Sequence, residues 1–198
     1  MLKKRVMMLC TALFLLLGAC SNDQNESVKK EDETKNIENQ EHTEQTEGMD
    51  HEEMDHSSSG EVPEELKVKE NPTYKVGDRA ILETDHMKGM KGAEATIAGA
   101  YDTIAYVVSY NPTTGGERVT NHKWVIQEEI KEADDKVLEP GTKVTLEADH
   151  MKGMKGAAAT IESSEHTTVY MVHYTSTTNG EKVKNHKWVT ESELSAVK

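Results

Sequence analysis

The chain is poor in cysteine, and the position of its two cysteines narrows what it can be. Cys10 and Cys20 both lie within the first twenty of 198 residues. The remaining chain therefore offers neither a disulfide bond nor a thiol nucleophile. Any folded region must be stabilised by its hydrophobic core alone.

Sequence patterns of catalysis and of nucleic-acid binding are missing as well. The chain has no Gly-x-Ser-x-Gly elbow and no glycine-rich phosphate loop. Carboxylates are plentiful, but they concentrate in a polar segment where nothing would hold two of them at a fixed separation. No clustered basic face of the kind that binds nucleic acid is present. We therefore predict that the protein is not an enzyme and does not bind nucleic acid.

The N-terminus has the pattern of an export signal. Three basic residues precede an apolar run at residues 6–17, which is shorter than the roughly 20 residues that a membrane-spanning helix needs. The run ends at Leu-Gly-Ala-Cys, which resembles the bacterial lipobox. We predict a lipoprotein signal peptide at 1–19 and lipidation (palmitate and related acyl chains) of Cys20, which anchors the protein at the outer face of the cell membrane. The alternative is an ordinary signal peptide with an incidental cysteine.

An acidic segment follows the predicted lipid anchor. Residues 21–72 hold 17 acidic and 5 basic side chains and no aromatic residue, so most of the net charge of −13 belongs to them. Such a segment cannot bury enough apolar surface to offset the entropy of ordering it. We predict that residues 20–72 are the lipidated cysteine and a disordered acidic linker.

Methionine and histidine recur within this linker. The triplet Met-Asp-His occurs twice with a period of five residues. Thioether sulfur suits Cu(I), whereas imidazole suits Cu(II) or Zn(II). Copper is therefore the candidate cofactor, with ligands at Met49, His51, Met54 and His56, although these residues could also be incidental in a polar segment.

The rest of the chain is an internal repeat. Residues Asp85 to Ala93 recur unchanged as Asp149 to Ala157, and the 64-residue offset holds without a gap from 77–130 to 141–194, with about 30 identical positions. A duplication of this size predicts one structural unit present twice. We place the two units at 73–133 and 134–198.

Each repeat has the pattern of a small β-structure. Tyr106, Val108 and Tyr110 alternate with smaller residues, and the same alternation recurs in the second repeat, so this face is the candidate core. Gly115-Gly116 and Asn179-Gly180 predict two-residue hairpin turns, and a short helical turn is expected to close each unit. Short strands cut by glycine turns favour closed barrels, which have no exposed edges. We predict an all-β protein with two tandem SH3-like barrels.

The repeated nine-residue segment is a second candidate metal site. It would gather imidazole and thioether groups on one side of a glycine-rich loop. In the alternative, the methionines fill irregular gaps in the barrel and the histidines cap backbone groups. The candidate ligands are His86, Met87, Met90, His150, Met151 and Met154.

Aromatic residues of the repeats provide a different candidate site. Their rings could line a shallow ligand groove, although packing in the core or at the barrel rim is the alternative. The residues concerned are Tyr106, Trp124, Tyr170 and Trp188.

Taken together, these segments resemble a known family. The lipobox, the acidic Met-Asp-His segment and the doubled HMKGMKGA, ATI, Y-x-V-x-Y and NHKWV segments are similar to the YdhK family of Gram-positive surface lipoproteins. The resemblance covers essentially the whole mature chain and implies a surface location and a paired SH3-like domain. Our leading hypothesis is a membrane-anchored protein that binds or buffers copper or another transition metal. The alternative is a non-metal binding module that recognises a cell-wall polymer or a surface protein.

Overall fold

The structure is a computed structural model that describes residues 57–131, 133–134 and 136–198. The predicted signal peptide, the lipidation of Cys20 and the linker ligands Met49, His51, Met54 and His56 lie outside these residues. No helix in the described part of the chain is long and apolar enough to cross a membrane.

In the described part of the chain, eight strands form most of the regular structure. Two 3₁₀ turns, at Gln127–Glu129 and Glu191–Glu193, confirm the short helical turn expected at the end of each repeat. The strands are β1 (Lys67–Val68), β2 (Arg79–Leu82), β3 (Glu94–Tyr110), β4 (Val119–Ile126), β5 (Lys143–Thr145), β6 (Ala158–Thr175), β7 (Lys182–Thr190) and β8 (Leu194–Ala196).

All eight strands belong to one antiparallel sheet. Its main path runs β5-β6-β3-β2-β8, with β1 and β4 also paired to β3 and with β7 paired to β6. The prediction of an all-β protein is confirmed. Closed SH3-like barrels are not confirmed, because the sheet does not close on itself.

The two long strands explain why separate barrels do not form. β3 and β6 pair along almost their full lengths, from Ala95 opposite Tyr174 to Tyr110 opposite Ala159. Ala159 is the repeat-two equivalent of Ala95, and Tyr174 is the equivalent of Tyr110, so the two pairs are equivalent to each other. The repeats are therefore related by an approximate two-fold arrangement. Each long strand pairs along one edge with the other repeat and along its other edge with strands of its own repeat, so the two repeats form one continuous sheet.

The hydrophobic cores are shared in the same way. The first cluster joins β2 and the first half of β3 from repeat one to the second half of β6, β7 and β8 from repeat two. The second cluster reverses the contributions, with Tyr106, Val108 and Tyr110 packed against residues of repeat two. The predicted Tyr/Val core face is therefore confirmed, but each core contains residues of both repeats.

The hairpin prediction is wrong in its turn type. β3 and β4 are joined by residues 111–118, and β6 and β7 by residues 176–181, so neither connection is a two-residue turn. Gly115 and Gly116 have positive φ, but of the pair Asn179-Gly180 only the glycine does. A type I′ turn needs positive φ at both central positions.

The end of the predicted linker also differs from expectation. Residues 57–72, which were predicted to be part of a disordered segment, make defined contacts. Leu66 is buried, and Lys67–Val68 pairs with β3. Ser58 donates its backbone N–H to Lys184 O at 3.0 Å, and Asn185 Nδ2 donates to Ser58 O at 2.9 Å. Residues 57–72 are therefore packed against the sheet and are not a disordered linker.

Candidate functional site

Each repeated nine-residue segment lies in a loop that docks against the other repeat. Thr177 N donates to Gly89 O at 2.9 Å, and Thr113 N donates to Gly153 O at 2.9 Å. Gly89 has φ +82°, and a Cβ there would lie 2.6 Å from Thr178 Oγ1. Glycine is needed because the loop both turns left-handed and approaches its neighbour closely. The docking holds His86 and His150 in fixed positions.

Both histidines bind a glutamate of the opposite repeat. His86 Nε2 lies 2.7 Å from Glu193 Oε1, and His150 Nε2 lies 2.8 Å from Glu129 Oε1. The glutamates close the two 3₁₀ turns that follow β4 and β7. All four side chains are at most 12 % exposed. The predicted alternative of backbone caps is replaced by carboxylate–histidine pairs.

The tryptophans donate to the same carboxylates. Trp124 Nε1 donates to Glu193 Oε2 at 2.8 Å, and Trp188 Nε1 donates to Glu129 Oε2 at 3.1 Å. We call His86, Trp124 and Glu193 the Glu193 half-site. The equivalent residues His150, Trp188 and Glu129 form the Glu129 half-site.

Both carboxylates remain ionised despite their burial. Burial would raise the pKa of Glu193, but the His86 ring and the N–H groups of Thr190 and Trp124 outweigh it and lower that pKa to about 2. Burial acts on Glu129 in the same direction, yet hydrogen bonds and the charge of His150 lower its pKa. An ionised carboxylate only accepts hydrogen bonds, so Nε2 of each paired histidine carries the hydrogen. In a neutral ring this leaves a lone pair on Nδ1.

Those Nδ1 atoms belong to a small group of buried nitrogens. His86 Nδ1, His150 Nδ1 and His122 Nε2 are buried without a hydrogen-bond partner among the described residues. The rings of His122 and His150 have centroids 6.3 Å apart. Burial, followed by the proximity of His150 and His86, lowers the pKa of His122 to about 4. His122 is therefore neutral at pH 7 and can offer a lone pair.

The two half-sites open into one cavity of about 1260 Å³. Backbone and side chains of residues 57–65, β4 and both nine-residue loops form its walls. The groups capable of binding a metal ion in its lining include His86, Met87, His122, His150, Met151 and His186.

Residues 76–127 and 140–191 each match a protein family described as "Protein of unknown function (DUF1541)". Together these matches cover more than half of the chain. The chain belongs to the DUF1541 family. Two tandem matches confirm the duplication, and the resemblance to the YdhK family is confirmed as well.

Proteins similar to this DUF1541 protein occur in Bacillus subtilis. An uncharacterized protein, YdhK, is 62 % identical over 188 residues, which are 95 % of this chain and 86 % of that protein. A crystal structure of a DUF1541 protein (ydhK) is similar with a TM-score of 0.71 and 73 % identity, covering 74 % of this chain and all of that one. A solution NMR structure of the ydhK C-terminal domain is similar with a TM-score of 0.59 and 75 % identity, covering 62 % of this chain and 92 % of that one.

The structure separates the predicted metal ligands of the DUF1541 repeats into two groups. His86, Met87, His150 and Met151 line the cavity. Met90 and Met154 are fully buried in the first and second hydrophobic clusters and are not among the residues that line the cavity. For these two methionines the alternative of gap-filling in the core is the correct one.

The predicted aromatic groove has a different outcome. Trp124 is 6 % exposed, and the other three rings are fully buried. Packing and hydrogen bonds to side-chain oxygens thus account for Tyr106, Trp124, Tyr170 and Trp188. Tyr106 O–H, for example, donates to Gln127, and Tyr170 O–H donates to Glu191 Oε2 at 2.9 Å.

Sequence reasoning did not identify four residues of the candidate site. Glu129 and Glu193 lie in the predicted turn at the end of each repeat, and His122 and His186 lie in the repeated NHKW segment, but none of them was predicted to take part in a site. Their signal was available, because all four positions are unchanged between the repeats. The sequence pattern did not indicate which histidine would contact which glutamate in the folded protein.

Proposed function

We propose that the protein binds a transition-metal ion, with copper as the favoured metal, in the histidine-lined cavity. The observation that carries this proposal is that His86 and His150 each bind a buried carboxylate through Nε2 while Nδ1 is buried without a described partner. A polar nitrogen in this state loses its hydration and gains no bond, so occupation by a metal ion would offset the loss.

The carboxylate–histidine pairs resemble the support that metal-binding histidines usually have. A second-shell carboxylate sets the tautomer, orients the ring and increases the basicity of the ligating nitrogen. Here Glu193 and Glu129 hold their histidines, while Trp124 and Trp188 hold the carboxylates in turn. The histidine ring of each half-site is therefore held in a fixed orientation before a metal ion binds.

The available ligands favour copper over harder ions. Met87 and Met151 line the cavity beside the histidines, and thioether sulfur selects Cu(I). The described residues contain no group of three or more His, Cys, Asp or Glu placed to hold a metal ion. A four-coordinate zinc site of the usual kind needs such a group. Cu(I) is stable with fewer ligands and accepts sulfur.

The cellular setting belongs to the same proposal. We place the protein at the outer face of the cell membrane, anchored by lipid on Cys20, as a binding protein and not an enzyme. Met49, His51, Met54 and His56 would form a second, weaker copper site in the linker. A protein of this kind would buffer copper outside the cytoplasm.

Metal titration of residues 21–198 tests this function. This chain keeps every described residue and lacks both cysteines, whose thiols would otherwise bind Cu(I). Replacing the linker set (Met49→Leu, His51→Asn, Met54→Leu, His56→Asn) isolates the cavity. In that background we expect Cu(I) to bind more tightly than Zn(II), as measured by competition with a chromophoric chelator under anaerobic conditions.

Two cavity variants complete the test. Met87→Leu/Met151→Leu preserves side-chain volume and should weaken Cu(I) binding by at least about tenfold with little effect on Zn(II). His86→Asn/His150→Asn should abolish binding, with circular dichroism to verify folding. Cu(I) affinity no greater than that of a scrambled linker peptide would overturn the proposal.

Recognition of a cell-wall polymer or a surface protein was the alternative function. That hypothesis relied on exposed aromatic rings, and the four rings concerned are buried. Retention of residues 21–198 on purified cell wall in the absence of metal would revive it.

A further inference from the structure

Two histidines from different repeats lie close to each other in the wall of the cavity. His122 lies on β4 of repeat one, and His150 lies in the nine-residue loop of repeat two. Their ring centroids are 6.3 Å apart, with the ring planes tilted by 40°. Each of these two rings has one buried nitrogen without a hydrogen bond to a described residue, His122 Nε2 in one and His150 Nδ1 in the other. Both side chains line the cavity.

We propose that His122 Nε2 and His150 Nδ1 form a two-coordinate site for one soft monovalent cation, with Cu(I) as the physiological ion. This inference rests on the proposed metal-binding function and names its primary ligands. His122 was not among the ligands suggested by the sequence.

The spacing of the two rings fits one ion held between them. A metal–imidazole bond is about 2.0 Å long, and the ring adds about 1 Å on each side, so a linear ion separates two centroids by about 6 Å. A tetrahedral angle at the ion would bring the centroids closer by about 1 Å. The observed 6.3 Å therefore matches the linear geometry that monovalent ions with filled d shells adopt.

Neighbouring groups hold both rings in place. Glu129 fixes His150 through Nε2 at 2.8 Å. Tyr110 packs edge-on against His122, with ring centroids 5.9 Å apart. The Tyr110 hydroxyl also donates to Met151 Sδ at 3.9 Å, which keeps this thioether beside the pair. Met151 lines the same cavity, and we include it in the proposed site as a weak third ligand.

Ag(I) provides a direct probe because it is monovalent, soft and stable in air. We would record histidine ¹H–¹⁵N spectra of ¹⁵N-labelled residues 21–198, carrying the four linker substitutions, during titration with Ag(I). The expected result is a shift and a silver–nitrogen coupling at His122 Nε2 and His150 Nδ1. Signals elsewhere, with these two nitrogens unchanged, would overturn the assignment.

Cu(I) affinity with a matched control provides the second test. His122→Asn leaves both carboxylate–histidine pairs intact and should weaken Cu(I) binding by at least about 100-fold, whereas removal of the exposed His166 should have no effect. X-ray absorption of the Cu(I) complex should show two nitrogen neighbours at about 2 Å.

The outcomes separate this inference from the function on which it rests. If His122→Asn binds Cu(I) as tightly as the parent while His86→Asn/His150→Asn does not, the two-histidine site is wrong and metal binding stands. If the parent chain with the linker substitutions binds no Cu(I), the proposed function itself fails. A spectrum with four light-atom neighbours would also contradict the two-coordinate geometry.

Discussion

The two half-sites are built from the same residues but are not supported equally. In the Glu193 half-site Thr84 donates a hydrogen bond to Glu193 Oε1 at 3.1 Å, whereas alanine occupies the equivalent position, Ala148, beside Glu129. Lys123 Nζ also lies 3.9 Å from Glu193 Oε1. The Glu129 half-site has fewer donors and is more deeply buried, with Trp188 fully enclosed.

A second difference comes from a segment that has no counterpart in the repeat. Residues 57–61 run along β7, where Ser58 Oγ donates to Asn185 O at 2.7 Å and Lys187 Nζ donates to Glu61 O. The equivalent Asn121 on β4 is exposed. Duplication supplied two copies of one arrangement, and the residues outside the identical segments made the copies unequal. The following predictions test how far that inequality extends.

The largest effect should come from removing the glutamates. Glu129→Ala leaves His150 and the N–H groups of Trp188 and Ile126 without their buried acceptor, and should lower the free energy of unfolding by about 3–5 kcal/mol. Glu193→Ala should cost less, about 2–3 kcal/mol, because its surroundings are closer to water. Urea unfolding measures both, with the exposed Glu162→Ala as control. A greater loss for Glu193→Ala would reverse the order of the half-sites.

Loop docking should show the next largest effect. Gly89→Ala combines a positive φ with overlap of the new Cβ with Ser176 Oγ, and should cost about 3 kcal/mol. Gly92 is the matched control, since its φ is +77° but no described atom lies within 4 Å of a Cβ there. Gly92→Ala should cost only about 1 kcal/mol. Equal thermal shifts for the two variants would show that the contact between the repeats contributes little.

The loss of stability at alkaline pH should differ between Tyr174 in the first hydrophobic cluster and Tyr110 in the second. Burial, followed by the charge of Glu181, raises the pKa of Tyr174 to about 12, and burial raises that of its equivalent, Tyr110. Above pH 10 the unfolded chain releases the Tyr174 proton while the folded chain retains it, so stability falls as pH rises from 10 to 12. The loss by pH 12 is about 2 kcal/mol, from about 1.36 kcal/mol per pKa unit.

Phenylalanine substitutions isolate this contribution. Tyr174→Phe should flatten the decline in urea midpoint between pH 10 and 12 more than Tyr110→Phe does. If Tyr110→Phe has the greater effect, the charge of Glu181 does not make the pKa of Tyr174 higher than that of Tyr110.

The smallest effect on stability should come from giving the Glu193 half-site the alanine that the Glu129 half-site has at the equivalent position, Ala148. Thr84→Ala removes a hydrogen bond to Glu193 and should lower stability by about 1–2 kcal/mol. In the same assay Thr120→Ala, at an exposed position, should change stability by no more than about 0.5 kcal/mol. Unchanged stability of Thr84→Ala would mean that Thr84 does not cause the asymmetry.

Much of the local structure could be predicted from residue patterns. The alternation at Tyr106, Val108 and Tyr110 identified a core face, and a short helical turn was correctly predicted at the end of each repeat. The turn types and the closure of the sheet could not be predicted in this way. Strand pairing depends on which edges meet, and residue pattern within one strand carries little information about its partner.

The candidate site shows the same division between local and distant information. The sequence indicated His86 and His150 as functional candidates, because they recur within the nine identical residues. Their glutamate partners lie 107 and 21 positions away along the chain. Each of the two glutamates could equally well have met the histidine of its own repeat.

By itself, then, the sequence determined the duplication, the β-structure and the residues that avoid water, because composition and periodicity decide burial locally. Only the tertiary structure decided that β3 and β6 pair with each other and that each histidine meets the glutamate of the other copy. The reason is degeneracy: two nearly identical repeats present the same faces, so pairing within a repeat and pairing between repeats satisfy the same local pattern. The choice depends on how the whole chain packs the hydrophobic clusters that the two repeats share.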